Sequence, residues 1–173
     1  MRVELLVIDP QNDFCDPSGA LFVPGADTSC QRLADMISRI GSKLFDIHVT
    51  LDTHHLLDIA HPMMWTDSSG NRPDPFTIIT HDDVVNSVWS PVIPATRDRL
   101  VDYVKSLEDN GRYPLCIWPP HCLIGTPGHN VQSEVAAALR EWEDRVATVD
   151  YVTKGSNLWT EHYSAVQADV PDP

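Results

Sequence analysis

Asp52-Thr53-His54, followed by His61, places one carboxylate and two imidazoles within ten residues of chain. Alternate residues of an extended chain share a face, so a strand running into this segment would turn Asp52 and His54 to the same side. A mixed oxygen and nitrogen set suits a divalent metal ion, zinc first, with iron or manganese as alternatives. His121 could complete the set. His55 competes with His54 for one position, and loop histidines also serve simply as hydrogen-bonding groups. Asp9, Asp52, His121 and Lys154 each stand at or just past the end of an apolar run. Asp9 alone reads as an ordinary turn residue. Four such endings on the rim of one parallel sheet would instead make a site, because open α/β sheets bind ligands at the carboxyl ends of their strands.

Thiol chemistry is poorly supported by the same reading. Cys122 follows His121 directly, and adjacent residues in a turn rarely face each other. Cys116 lies in an apolar run and reads as a core thiol. Cys15 stands near Asp13 and Asp16, which oppose thiolate formation. With Cys30 these make four cysteines and no CxxC pair, which argues against a disulfide scaffold and a thiolate zinc cage. Phe14, Trp65 and Trp118 read first as packing residues, but Phe14 and Trp118 adjoin strand ends and could line a pocket for a flat substrate. Glu134, Glu141, Glu143 and Asp144 read as a solvated helix face.

Positioning these groups falls to a chain of 173 residues, enough for one domain with a sizeable core. It is 42% hydrophobic with 12 basic and 25 acidic residues, a net charge of −13. That balance gives no footprint for nucleic acid or an anionic membrane, so neither is expected as a partner. The opening MRVELLVIDP is too short and too polar for a secretory signal, and no run approaches membrane-spanning length, which leads to a cytoplasmic expectation.

Residues 3–8 form a near-continuous apolar run, the pattern of a buried parallel strand. A helix is predicted over 27–41, with Gly41 suited to a left-handed cap, and a second strand over 44–51. Residues 53–95 show no sustained period and read as a long site-building loop with a short helix near 82–87. A helix capped by Thr96 and stopped at Asn110-Gly111 follows, then a third strand over 115–118. A helix over 131–142 and a fourth strand over 146–152 complete the series. The order predicts one α/β domain over 1–173, a three-layer α/β/α sandwich around a mostly parallel, Rossmann-like sheet.

Four segments carry a family resemblance. VIDPQNDFC (residues 7–15), with the stretch running on to Gly25, resembles the opening of the isochorismatase-like cysteine hydrolases, closest to their nicotinamidase branch. VTLDTHHLLDIAH (49–61) resembles the metal segment of that family, IWPPHCLIGTPG (117–128) the segment with its last metal histidine, and TKG (153–155) its lysine turn. The resemblance implies a hydrolase of a small, ring-shaped carboxamide. Asp9 would be the general base and Lys154 the partner of a thiolate, while Asp52, His54, His61 and His121 would hold the metal. Phe14 and Trp118 would sandwich the substrate ring.

The family's nucleophilic cysteine lies well beyond the lysine, after a further strand, and none of the four cysteines here stands at that position. The expectation is therefore a fold lacking the family's C-terminal strands, with the thiol supplied from outside this chain. Residues 3–8 should then form a bare apolar edge, covered in a homo-oligomer or by a complementing C-terminal chain. The alternative is a non-catalytic, truncated member that binds metal or ligand and docks on a partner. The segment 67–89 is longer and richer in Asp and Pro than in short nicotinamidases.

Overall fold

The computed structural model describes residues 2–145 and 147–172. Its elements are β1 (Glu4–Ile8), α1 (Asn12–Cys15), α2 (Ala26–Ile40), β2 (Asp46–Asp52), β3 (Trp65–Thr66), β4 (Ile78–Ile79), α3 (His81–Val85), β5 (Ser90–Pro91), α4 (Arg97–Asn110), β6 (Leu115–Cys116), α5 (Ser133–Glu143) and β7 (Asp150–Lys154). This is an α/β chain with a parallel sheet and helices, the class the sequence predicts. Where the sequence suggests a single domain over 1–173, contacts divide the chain into two compact units. One runs to Thr53 and resumes over His121–Lys154; the other comprises His54–Pro120 and the stretch from Gly155 on.

The first unit is built on a parallel sheet of order β1-β2-β7. Val7 of β1 pairs with Val49 of β2, and both are buried against Ile37 of α2 and Val135, Leu139 and Trp142 of α5. Burying such side chains stabilises by roughly 1.5–3 kcal/mol each. The sheet's other face is different at its edge, where Leu6 and Ile8 of β1 are 59% and 69% exposed. Gly41 departs from expectation, being right-handed at φ −52° rather than left-handed. Space there is tight on the side of α5: a Cβ would stand 3.1 Å from Trp142 Cδ1, and 2.8 Å from Nη1 of Arg145, whose flexible side chain could shift. Trp142 Nε1 donates to the Gly41 carbonyl. The fourth strand is also offset, occupying Asp150–Lys154, while Val146 lies outside the described residues.

His48 of β2 faces Asp150 of β7, with Nδ1 and Oδ2 3.0 Å apart, and this hydrogen bond raises the imidazole above its ordinary value. A raised folded value means the contact stabilises fully below the ordinary histidine range and is lost as pH rises through the elevated one. His48→Gln should therefore flatten the fall in urea midpoint across neutral pH. An unchanged slope would contradict this assignment.

The second unit packs α4 through Leu100, Tyr103, Val104 and Leu107 onto Ile59, Met64, Trp65, Ile79 and Val84. Gly111 ends α4 in the left-handed conformation at φ 64°, as its sequence position suggests. Thr96 caps α4 by position only, its hydroxyl donating back to the Ile93 carbonyl. The short helix foreseen near 82–87 is α3, started by a reciprocal Thr80–Asp83 capping box. The rest of the long segment holds β3, β4 and β5; β3 pairs antiparallel with β5, and β4 with β6 from beyond the segment. One sequence expectation fails here: β6 joins no parallel ladder and instead pairs antiparallel with Ile78–Ile79. The strand itself is two residues long, Ile117 still bonds to Phe76 and Thr77, and Pro119-Pro120 follow, whose missing N–H groups cannot extend a ladder. No helix among the described residues is long and apolar enough to cross a membrane.

Candidate metal and base site

Parallel pairing brings the carboxyl ends of β1, β2 and β7 to one rim of the first unit. The register sets Asp52 directly opposite Lys154 and leaves Asp9 one residue past the Ile8–Thr50 pair. Lys154 Nζ lies 2.8 Å from Asp52 Oδ1 and 3.1 Å from Asp9 Oδ2. The other oxygen of Asp52, Oδ2, is 3.2 Å from His121 Nε2. Asp9, Lys154, Asp52 and His121 thus form one continuous polar chain, and all but Asp9 are buried. Burial works against the charged lysine, but the carboxylates of Asp52 and Asp9 outweigh it and hold the amine above its ordinary value.

Asp9 is fixed in an uncommon conformation. It takes φ 48° immediately before Pro10, a left-handed backbone that few residues other than glycine tolerate. Thr50 holds it there: the Asp9 N–H meets the Thr50 carbonyl, and the Thr50 hydroxyl donates to Asp9 Oδ1 at 2.6 Å. Such strain recurs where function fixes a side chain. Phe14 packs edge-on to His121, ring centroids 5.4 Å apart.

In the second unit, His54 and His61 are buried with ring centroids 5.1 Å apart. His54 Nδ1 lies 3.0 Å from Asp58 Oδ2, and Asp58 Oδ1 is in turn held by the Ala60 N–H. His61 Nδ1 lies 3.1 Å from the His55 carbonyl. With Nδ1 donating in both rings, a neutral imidazole carries its lone pair on Nε2, one of the two nitrogens through which histidine ligates metals, and a carboxylate behind a ligating histidine is the usual support for it. His55 contributes its backbone carbonyl to His61, while the His54 side chain is buried. Trp118 stands edge-to-face with Phe76 and Tyr163, at 5.9 and 6.5 Å.

All four cysteines are poor nucleophiles in this fold. Burial pushes the Cys15 thiol up to about 12, with further contributions from neighbouring Cys30 and Asp9. Burial also raises Cys30, Cys116 and Cys122, and the Asp52 and Asp13 carboxylates add to the effect on Cys122. Alkylation by iodoacetamide near neutral pH should run at least about tenfold slower in the folded protein than in urea. A single fast-reacting cysteine would contradict this.

Sequence reasoning passed over Gln11 and Asp13, which hold the rim together. Gln11 is wholly buried, and Asp13 accepts the Cys122 N–H at 2.6 Å. The available signal was their place in the DPQNDF run, two and four residues past Asp9.

No protein-family model matches the chain, and no curated protein matches it significantly. Solved structures do. The yeast nicotinamidase Pnc1p bound to the inhibitor nicotinaldehyde superimposes with a TM-score of 0.65 at 21% identity, over 97% of this chain and 63% of that one. An Acinetobacter baumanii nicotinamidase/pyrazinamidase gives 0.60 at 21% identity, over 97% and 58%. The Pyrococcus horikoshii pyrazinamidase in complex with zinc gives 0.50 at 19%, over 98% and 61%. The chain therefore spans about three fifths of the length of these structures. At such identities the likeness speaks for architecture, and it establishes that this chain has the isochorismatase-like fold of the nicotinamidases.

Proposed function

We propose that this chain carries the metal-binding and proton-handling part of an amide hydrolase acting on a small ring-shaped carboxamide. The observation that carries the reading is the continuous Asp9–Lys154–Asp52–His121 chain at the rim, buried except for Asp9. Asp52, His54 and His121 offer buried donors of the kinds zinc takes, and His61 presents the same tautomer as His54. The residues present therefore fit a divalent ion, zinc by donor type, with iron and manganese also compatible. Such an ion would supply a Lewis acid that holds a ring nitrogen of the substrate. Phe14 and Trp118 are assigned to the faces of that ring.

In this reading a cysteine thiol gives its proton to Asp9, and the sulfur adds to the carboxamide carbon. The C–N bond then breaks, ammonia leaves with the returned proton, and water hydrolyses the thioester to the acid and free thiol. Lys154 stabilises the anionic groups of this cycle from its place beside Asp9. The thiol comes from polypeptide outside these 173 residues, since burial and carboxylates keep all four cysteines protonated. The exposed β1 edge, flanked by a groove of about 650 Å³ lined by Leu6, Ile8 and Val23, is where that polypeptide is proposed to add.

The test is ammonia release from nicotinamide by the zinc-loaded chain, alone and with any polypeptide that copurifies. Activity should accompany a thiol other than these four and vanish in Asp9→Asn. Activity surviving Asp9→Asn, or no ammonia from any preparation holding one metal per chain, would refute the proposal.

A further inference from the structure

Residues 11–13 grip both stretches of chain on which the donors of the first unit stand. Gln11 Oε1 accepts the Asp52 backbone N–H at 2.7 Å, and its Nε2 donates to the Asp52 carbonyl at 2.7 Å. The same Nε2 donates to the His129 carbonyl at 2.9 Å, in the loop that follows His121. Asn12 adds a bond from Nδ2 to the Pro127 carbonyl of that loop at 2.7 Å.

Asp13 holds the other side. Its Oδ2 accepts the Cys122 N–H at 2.6 Å and its Oδ1 the Ala20 N–H at 3.0 Å. Cys122 sits at φ 46°, a conformation a cysteine keeps only when its surroundings impose it. Gly128 lies so close to the Asp13 carboxylate that a Cβ there would overlap it, so the backbone of that loop packs directly on the carboxylate.

The chemistry of position 11 is narrow. One side chain must accept from an N–H and donate to two carbonyls at once, which a primary amide can do and a carboxylate cannot. From this geometry we infer that Gln11 and Asp13 are positioning residues, which set the 3.2 Å spacing of Asp52 and His121 by fixing the backbone beneath each. For its effect on metal binding this inference rests on the reading proposed above; its geometry does not depend on it.

The experiment uses the whole chain with Gln11→Glu and Asp13→Asn, and Ile37→Val as a core variant that loses stability without touching the brace. Co²⁺ is the probe, followed by its visible absorption, and the His121 imidazole resonance is recorded in the metal-free proteins. Each brace variant should bind Co²⁺ about 10–100-fold more weakly. The double variant should lose less than the product, because both act on one spacing. The His121 resonance should move in both and stay put in Ile37→Val. Should Gln11→Glu fail to fold, Gln11→Asn, which keeps the amide but shortens its reach, should show the same loss. Folded variants binding within twofold of the unaltered chain, with His121 unmoved, would overturn the inference. If the unaltered chain takes up no Co²⁺, the metal reading fails, and the His121 resonance alone decides for or against the brace.

Discussion

Asp52→Ala should leave a chain that no longer retains zinc through dialysis and that unfolds at markedly lower urea. Asp52 is the point where the two roles of the rim meet, since one oxygen faces Lys154 and the other faces His121. Removing it takes away the oxygen donor of the proposed metal set. It also leaves a buried lysine with Asp9 as its remaining carboxylate in that chain. Breaking a buried pair by deleting one partner costs about 3–5 kcal/mol, because the survivor stays desolvated without full compensation. Asp52→Asn keeps the shape and one acceptor, so it should lose zinc while giving up less stability. Elemental analysis and urea titration separate the two effects. Zinc retained at one per chain in Asp52→Ala would remove Asp52 from the metal set.

The second large effect is expected from Lys154→Met. The methionine fills most of the lysine's volume but leaves the Asp9 and Asp52 carboxylates without the amine that bridges them. Stability at neutral pH should fall by about 3–5 kcal/mol. Part of the loss should return on acidification, and the sign follows from linkage. Two carboxylates facing each other hold a proton more tightly in the folded variant than in the unfolded chain, so the variant gains stability as pH falls. In the unaltered protein the amine is raised above its ordinary value, so its contribution is complete below the usual lysine range and is lost only above it. Urea midpoints from mildly acidic to neutral pH therefore distinguish the two proteins. A variant whose midpoint does not improve on acidification would show that these carboxylates do not share the lysine.

The elements that were legible in the sequence are those with a strong local pattern. Residues 3–8 are apolar apart from Glu4, and β1 forms there, although Leu6 and Ile8 stay exposed at the sheet edge. Leu33, Ile37 and Ile40 recur at helical spacing, and α2 runs through them. Asp9, Asp52 and Lys154 come together for a related reason, since parallel register converts sequence position into position on a rim. What was illegible depends on partners distant in sequence. The close neighbours of Gly41 are Trp142 and Arg145, about a hundred residues away, and its own turn is right-handed. Leu115–Cys116 has the composition of a parallel strand, yet its pairing was decided by Ile78–Ile79 and by the prolines that follow. Gln11 and Asp13 carry no signal by type, because a glutamine or aspartate near a turn is ordinary, and only the location of their partners reveals the brace. Asp58 was missed for the same reason, being meaningful only once its bond to His54 is seen.

The most direct trial is a crystal grown with zinc and measured at the zinc absorption edge. The account predicts one anomalous peak per chain, bonded by Asp52, His54, His61 and His121, with Lys154 still between Asp9 and Asp52. Zinc bound elsewhere, or a crystal in which those four side chains face no common ion, would contradict it.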